Sequence, residues 1–339
     1  MKELLLRLES LGYVDFYLGF YKHNVDSSLS ALGIKDSLYA LFNIDVIKKQ
    51  GSPREDISDA IEIVDTEKTT VTKKFSIQKG KIVKMKDVKF KSTKGVSGVS
   101  KLKKDLLAYN KLIENNTITI DVGNGDEGCN SIVYKRRFED NLQTCGRYYD
   151  SSSFQTLPSE YRKSIKINGE DTIELEFACS QPRLCADIEG IQLSETFDCY
   201  TVPSLIDLGM SRDMIKSMLF PVLFTDSIVS ATRSIRLKLT EFGITNVKAA
   251  YVVKEFMNHN SFLEDYFFTK DLYGELQFID SSIATLVINH FTSKGVVVLC
   301  YHDSFRIQSK YEYELYQVMK DSYLTVVGCN KNMLITKSE

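Results

Sequence analysis

The segment 295–310, GVVVLCYHDSFRIQSK, constrains this chain more than any other. Gly295–Tyr301 is an almost wholly apolar run, the pattern of a buried strand. It delivers His302, Asp303 and Ser304 to a tight turn, and Phe305–Gln308 leads away as a second strand. An aspartate at the abrupt end of a buried strand costs desolvation unless it is paired or holds a cation. The fold must therefore accommodate a buried hairpin with a carboxylate at its tip.

Two further segments carry chemistry. In 171–185, DTIELEFACSQPRLC, the residues Ile173, Leu175 and Phe177 alternate with Glu174 and Glu176, which predicts a strand. A carboxylate at its C-terminal end, before a turn into an apolar helix, can hold Mg²⁺. A solvated acid at a strand end is the plainer alternative. The segment 211–226, SRDMIKSMLFPVLFTD, predicts a helix with Ser211 as its N-cap and a kink at Pro221. Arg212, Lys216, Phe220 and Phe224 recur every fourth residue and share a face. Two cations above aromatic rings suit a polyphosphate with a base stacked behind it, and an amphipathic helix with two solvated cations is the alternative.

The rest of the chain sets the frame. Residues 1–50 show helical spacing of leucines (Leu4, Leu5, Leu8, Leu29, Leu32, Leu38, Leu41) broken by Gly33 and Gly51. Residues 61–91 alternate as the strands of a basic hairpin would, and 99–115 reads as a helix with Leu102, Leu106, Leu107 and Leu112 on one side. A Gly/Asn/Asp turn is expected at 123–130, a buried helix at 276–292 with His290 as a core histidine, and a helix at 311–323. Net charge is −2, yet Lys68–Lys104 holds thirteen lysines against Asp87 alone. That block would neutralise phosphates, or it is a solvated linker. The seven cysteines include no CxxC pair, so reduced thiols and a cytoplasmic setting are expected, with no membrane partner.

Taken in order, these segments resemble motifs A, B and C of the family A (polymerase I-like) DNA polymerases and the phage-type single-subunit RNA polymerases. His302-Asp303-Ser304-Phe305 is similar to the His-Asp motif C, with the Ser-Phe ending of the RNA polymerase version. Arg212, Lys216 and Phe224 match the Arg-x3-Lys-x7-(Tyr/Phe) spacing of motif B, and Glu176 through Arg183 takes the place of motif A. Gly146-Arg147-Tyr148-Tyr149, Phe154-Gln155-Thr156-Leu157-Pro158 and Asp198-Cys199-Tyr200 resemble three further family segments. The similarity spans roughly 136–330; residues 1–95 match no known family segment.

The resemblance implies an α+β right-hand polymerase fold with an antiparallel palm sheet, reduced helical fingers and a small N-terminal lobe. Its divisions would be 1–95 (lobe with the Lys-rich hairpin or linker), 96–205 (thumb-like helix and first part of the palm), 206–285 (fingers) and 286–339 (second part of the palm). It implies a DNA-directed nucleotidyltransferase, making RNA or DNA, in which Glu176 and Asp303 hold two Mg²⁺ ions (or Mn²⁺). Arg212 and Lys216 would grip the nucleoside triphosphate, Phe224 would stack near the nascent pair and Gln181 would lie at the sugar. Arg147, Gln155 and His302 would contact the DNA template and its primer or nascent strand. A partner subunit would supply a thumb or strand opening, in the bacterial host cytoplasm if the chain belongs to a phage or mobile element. Motif A ordinarily has Asp where Glu176 stands, so a catalytically weakened, nucleic-acid-binding or assembly subunit is the alternative. The Ser-Phe ending leans towards RNA, while Gln181 and Phe224 leave sugar choice open.

Overall fold

The structure, a computed structural model, describes residues 14–17, 31–34, 60–78, 81–121, 126–128, 132–150, 154–157 and 159–338. Strands β1 (Val14–Tyr17) and β2 (Ala31–Ile34) pair antiparallel. Leu32 and Gly33 thus lie in a strand, where helical spacing was expected. Their backbone groups pair with the β-prone run Val14-Asp-Phe-Tyr17, and cross-strand pairing outweighs local periodicity. The other leucines of that spacing lie outside the described residues.

The basic segment contains the expected hairpin, β4 (Thr70–Gln78) against β5 (Lys81–Asp87), but β3 (Ile61–Val64) pairs elsewhere. It runs parallel to β8 (Tyr134–Glu139), which is joined antiparallel to β9 (Cys145–Asp150). Ile61 and Ile63 are buried in the main core, so β3 packs with the body. Helix α1 (Val99–Glu114) buries Val99, Leu106, Tyr109, Asn110 and Ile113. Leu107 and Leu112 are only half-buried. Tyr109 enters the core because its hydroxyl donates to the carbonyl of Val298 at 2.6 Å. The turn expected at 123–130 contains strand β7 (Asp126–Gly128), which supplies hydrogen bonds to β6 (Ile118–Asp121); its other residues lie outside those described.

A seven-stranded sheet organises the remainder, in the order β12 (Val298–Tyr301), β13 (Ser304–Gln308), β11 (Glu170–Phe177), β10 (Lys166–Ile167), β6, β7, with β14 (Ile335–Lys337) also on β11. Every pairing in it is antiparallel. The fold is therefore mixed α+β with mainly antiparallel sheets. Alternation along β11 gives two chemically opposite faces. Ile173, Leu175 and Phe177 are buried, and the Phe177 ring meets Tyr323 of α10 (Glu312–Val327) at 5.6 Å. Glu174 and Glu176 project from the other face beside Arg306 and Ser304 of β13.

The helices are α2 (Ser159–Arg162), α3 (Ser180–Ile188), α4 (Pro203–Ile206), α5 (Arg212–Lys216), α6 (Leu219–Leu223), α7 (Ile228–Glu241), α8 (Ala249–His259), α9 (Leu272–Ser293) and α10. The single helix expected over 211–226 is two, broken at Ser217–Met218. Pro221 then occupies the first turn of α6, where its missing N–H has no intrahelical acceptor to lose. Helix α9 fulfils the buried helix expected at 276–292, but His290 is no core residue. It sits at the surface with Nε2 2.8 Å from Glu314 Oε1, because α10 brings that carboxylate alongside. Among the described residues, no helix is long and apolar enough to cross a membrane.

Candidate active site

Strand β12 lies at the end of its sheet order, so its outer carbonyls need partners from elsewhere. Side chains provide them. Tyr134 Oη donates to the Cys300 carbonyl at 3.1 Å, and Gln155 Nε2 donates to the same oxygen at 2.9 Å. Gln155 Nε2 also donates to Tyr148 O, and its Oε1 accepts from the Asp150 N–H. Both ends of the Gln155 amide are thus engaged in fixing the strand that carries Asp303.

The β12–β13 connection is a two-residue turn, His302-Asp303, closed by the Tyr301–Ser304 pair. His302 has a φ of 69°, the positive value that strand-compatible hairpin turns need at this position and usually obtain from glycine. Its ring lies edge-on to Tyr149 at 5.4 Å. Its Nδ1 is buried without a hydrogen-bond partner. Burial, reinforced by the Arg147 guanidinium, pushes the imidazole down to about 4, so it is neutral near pH 7.

The register of β11 on β13 pairs Glu176 with Ser304, and the Asp303 carbonyl accepts from the Phe177 N–H at 3.0 Å. Glu176 and Asp303 therefore sit at the same end of adjacent strands. A third carboxylate, Asp280, comes from α9 and receives Arg147 of β9 through Nη2 at 2.7 Å and Nε at 3.0 Å. Burial is the main force that raises the Asp303 carboxyl to about 7; Asp280 adds to it, Arg147 opposes, and Glu176 adds again. Three carboxylates face one guanidinium, and that guanidinium is already committed to Asp280. Neither Glu176 nor Asp303 has a cationic partner of its own among the described residues. Hard oxygen donors in excess of positive charge suit Mg²⁺ or Mn²⁺.

Gly146 is what lets Arg147 reach Asp280. Its φ is +79°, and a Cβ there would stand 2.6 Å from the Phe138 ring and 3.0 Å from Ser281 Oγ of α9. Ser281 Oγ donates to the Cys145 carbonyl at 2.8 Å and Tyr148 Oη donates to Thr285 Oγ1 at 3.1 Å, which locks β9 onto α9.

Two residues before Glu176 and on the same face of β11, Glu174 is handled differently. It is 3 % exposed and accepts from Arg162 Nη1 at 3.0 Å, Arg306 Nη2 at 2.8 Å and Ser304 Oγ at 2.8 Å. Arg162 also lies over the Tyr301 ring, 4.9 Å from its centroid.

The nucleotide-gripping residues expected from the sequence lie on α5, α6 and α3. Ser211 caps α5 by accepting from the Met214 N–H. Arg212 is half exposed and held by Asp198, with Nε at 2.6 Å from Oδ2 and Nη2 at 3.3 Å from Oδ1. Lys216 is exposed at the end of α5. Phe224 packs against Phe220 at 4.8 Å and Tyr273 at 5.4 Å, and Phe220 is 51 % exposed. Gln181 is half-buried in the first turn of α3, while Arg183 is buried and donates to the carbonyls of Asn332 and Phe197.

Sequence reasoning missed Asp280, the Glu174 ion triad and the Asp198–Arg212 pair. The signal for Asp280 was available: Gln277, Asp280, Ser281 and Thr285 form a polar stripe at helical spacing.

No protein-family profile matches the chain, and no curated protein does. Among solved structures, the chain is similar to the POL domain of Pol1 from M. smegmatis, described as a complex with DNA primer-template and dNTP. That similarity has a TM-score of 0.40 at 11% identity and covers 71% of this chain and 50% of that one, so the chain spans half the length of that structure.

Proposed function

We propose that the chain is a template-dependent nucleotidyltransferase, a small right-hand polymerase whose chemistry occurs at Glu176 and Asp303. The observation that carries the reading is the meeting of these two carboxylates at one end of paired antiparallel strands, with more negative charge than the protein neutralises. The order and spacing of the motifs around them support it. Under this reading Glu176 and Asp303 hold two Mg²⁺ or Mn²⁺ ions, with Asp280 at their side. Bound there, such ions supply charge neutralisation at the primer hydroxyl and the departing pyrophosphate.

The chain's own residues then position the reactants, which is most of what phosphoryl transfer requires. Arg212, preset by Asp198, and the exposed Lys216 neutralise the triphosphate, and Lys216 Nζ gives a proton to the leaving pyrophosphate oxygen. Phe224 stacks on the nascent base pair and Gln181 borders the sugar. Arg147, oriented by Asp280, and the neutral His302 contact the primer and template strands, contacts that fix register without reading sequence. Gln155 acts on the site through β12. The lysine-rich segment grips the duplex backbone. In domain terms, 96–205 supply a thumb-like helix and the first part of the palm, 206–285 reduced fingers, 286–339 the second part of the palm and 1–95 a lobe, with a partner subunit supplying a thumb or strand opening.

A second reading, a weakened polymerase fold acting as a binding subunit, is favoured by one observation: Glu176 is one methylene longer than the usual motif A aspartate. Primer extension on a short primer–template with Mg²⁺ or Mn²⁺, offering dNTPs and NTPs in parallel, separates the two. The leading reading predicts extension with one sugar series, reduced at least about 10³-fold by Asp303→Ala. Absent extension with retained duplex binding, and synthesis gained by Glu176→Asp, would establish the second.

A further inference from the structure

Two thiols that polymerase chemistry leaves unused converge with Asp198 beside Arg212. Cys179 Sγ, Cys199 Sγ and a carboxylate oxygen of Asp198 all lie within 4.8 Å of one another. Cys179 caps α3 in a left-handed conformation, φ 49° and ψ 40°. Its thiol donates to Asp198 Oδ1 at 3.2 Å, and its sulfur accepts from Arg212 Nη2 at 3.7 Å. Cys199 is 1 % exposed.

We propose that Cys179 and Cys199 form an oxidation site, in which a peroxide converts the two thiols to a disulfide and releases Cys179 from Arg212. Cys179 is the attacking sulfur: it is partly exposed, stands at the N-terminus of a nine-residue helix and touches a guanidinium, all of which favour thiolate. Its acidity is raised first by the hydrogen bond with Cys199 and also by Arg212, against burial and the Asp198 carboxylate. Burial pushes the thiols of Cys145, Cys185 and Cys300 up to about 12, which leaves them poor competitors.

The chemistry balances. The Cys179 thiolate attacks one peroxide oxygen, the O–O bond breaks, and hydroxide leaves and takes a proton, giving Cys179 sulfenic acid. The Cys199 sulfur then attacks the Cys179 sulfur, the S–O bond breaks, and the hydroxyl leaves as water with the Cys199 proton. Two thiols and one peroxide become one disulfide and two waters. Cys199 is closed to solvent, with the Cys179 sulfur within 4.8 Å.

A soft metal across the same atoms is disfavoured by Asp198, whose oxygens already accept from Arg212, the Tyr200 N–H and Thr201 Oγ1. A dication there would face the Arg212 guanidinium. A disulfide draws the sulfurs to about 2.05 Å, so Cys179 abandons its contacts to Asp198 and Arg212. Arg212 then loses its contact with Cys179 and keeps Asp198 and the Tyr200 ring, 5.2 Å from its guanidinium carbon. The consequence for nucleotide rests on the function proposed above; the thiol chemistry does not.

The test treats the reduced full-length chain with stoichiometric hydrogen peroxide, blocks free thiols, and maps peptides by mass. The expected product has lost two hydrogens and carries one cross-link, Cys179 to Cys199, reversed by dithiothreitol. In Cys199→Ala, Cys179 should instead be trapped as sulfenic acid by a cyclic 1,3-diketone. A cross-link elsewhere, no cross-link, or stoichiometric Zn²⁺ shielding both thiols from alkylation would overturn the site. Binding of a fluorescent nucleoside triphosphate should weaken about fivefold on oxidation and recover on reduction. A cross-link with unchanged affinity would overturn the link to Arg212. A reduced protein that binds no triphosphate would count against the polymerase reading and leave the cross-link result standing.

Discussion

Glu174 and Glu176 are neighbours on one face of one strand, yet their surroundings differ in charge. Glu174 is enclosed by Arg162, Arg306 and Ser304, two cations and a hydroxyl on one carboxylate. Glu176 shares the end of the sheet with Asp303 and Asp280, three carboxylates against Arg147. The first arrangement is complete within the protein and acts as architecture. The second is incomplete: the excess negative charge is relieved either by protonation, towards which Asp303 is already raised to about 7, or by a cation from outside. Burial of acids alone does not mark a site; the balance of charge around them does.

The contrast breaks most sharply at Glu174. Replacing it with Ala leaves Arg162 and Arg306 facing each other without a counter-charge. We expect a loss of about 3–5 kcal/mol of stability, read as a lower denaturant midpoint with unchanged slope. A near-neutral result would mean that the triad is not the brace described. Gly146→Ala follows, at about 2–4 kcal/mol, because the positive φ and the Phe138 and Ser281 contacts both resist a methyl group. Its refolded fraction should also lose the Arg147–Asp280 alignment, visible as weaker duplex binding.

Asp303→Asn should act in the opposite sense from Glu174→Ala. Without divalent cation it removes repulsion and desolvation, so the variant should be more stable than the wild type by about 1 kcal/mol. Added Mg²⁺ should stabilise the wild type and not the variant. Equal behaviour of the two proteins in both conditions would erase the distinction between the regions.

The smallest effect concerns an exposed counterpart of the Glu174 arrangement. Asp140 is held down to about 2, first by Lys91 and then by Thr66. Its folded value lies below its unfolded one, so its contribution is complete above about pH 4 and is lost as pH falls through about 2. Urea midpoints from pH 2 to 5 should show Asp140→Asn lacking this acid-side loss. Because the pair is exposed, the difference is small.

How much of this was legible in the sequence follows from the range of each interaction. The hairpin around Asp303, β11, α1, α9 and α10 were readable because apolar periodicity is local. The meeting of Glu176 with Asp303 was suggested by motif order alone; the register that joins them is set by pairing between distant segments. Glu174 carried the same pattern as Glu176, and nothing local told them apart, since Arg162 and Arg306 arrive by chain topology. Asp280 was legible as part of a polar stripe on α9, but its pairing with Arg147 was not, because that partner lies on β9. The break between α5 and α6 escaped because Pro221 is disruptive inside a helix and harmless in its first turn.

The most direct test of the charge imbalance is a titration of Mn²⁺ into the nucleotide-free protein, with free ion followed by electron paramagnetic resonance. The wild type should deplete the free-ion signal, and Asp303→Ala should not while it stays folded. No depletion by the wild type, or equal depletion by both proteins, would contradict that imbalance.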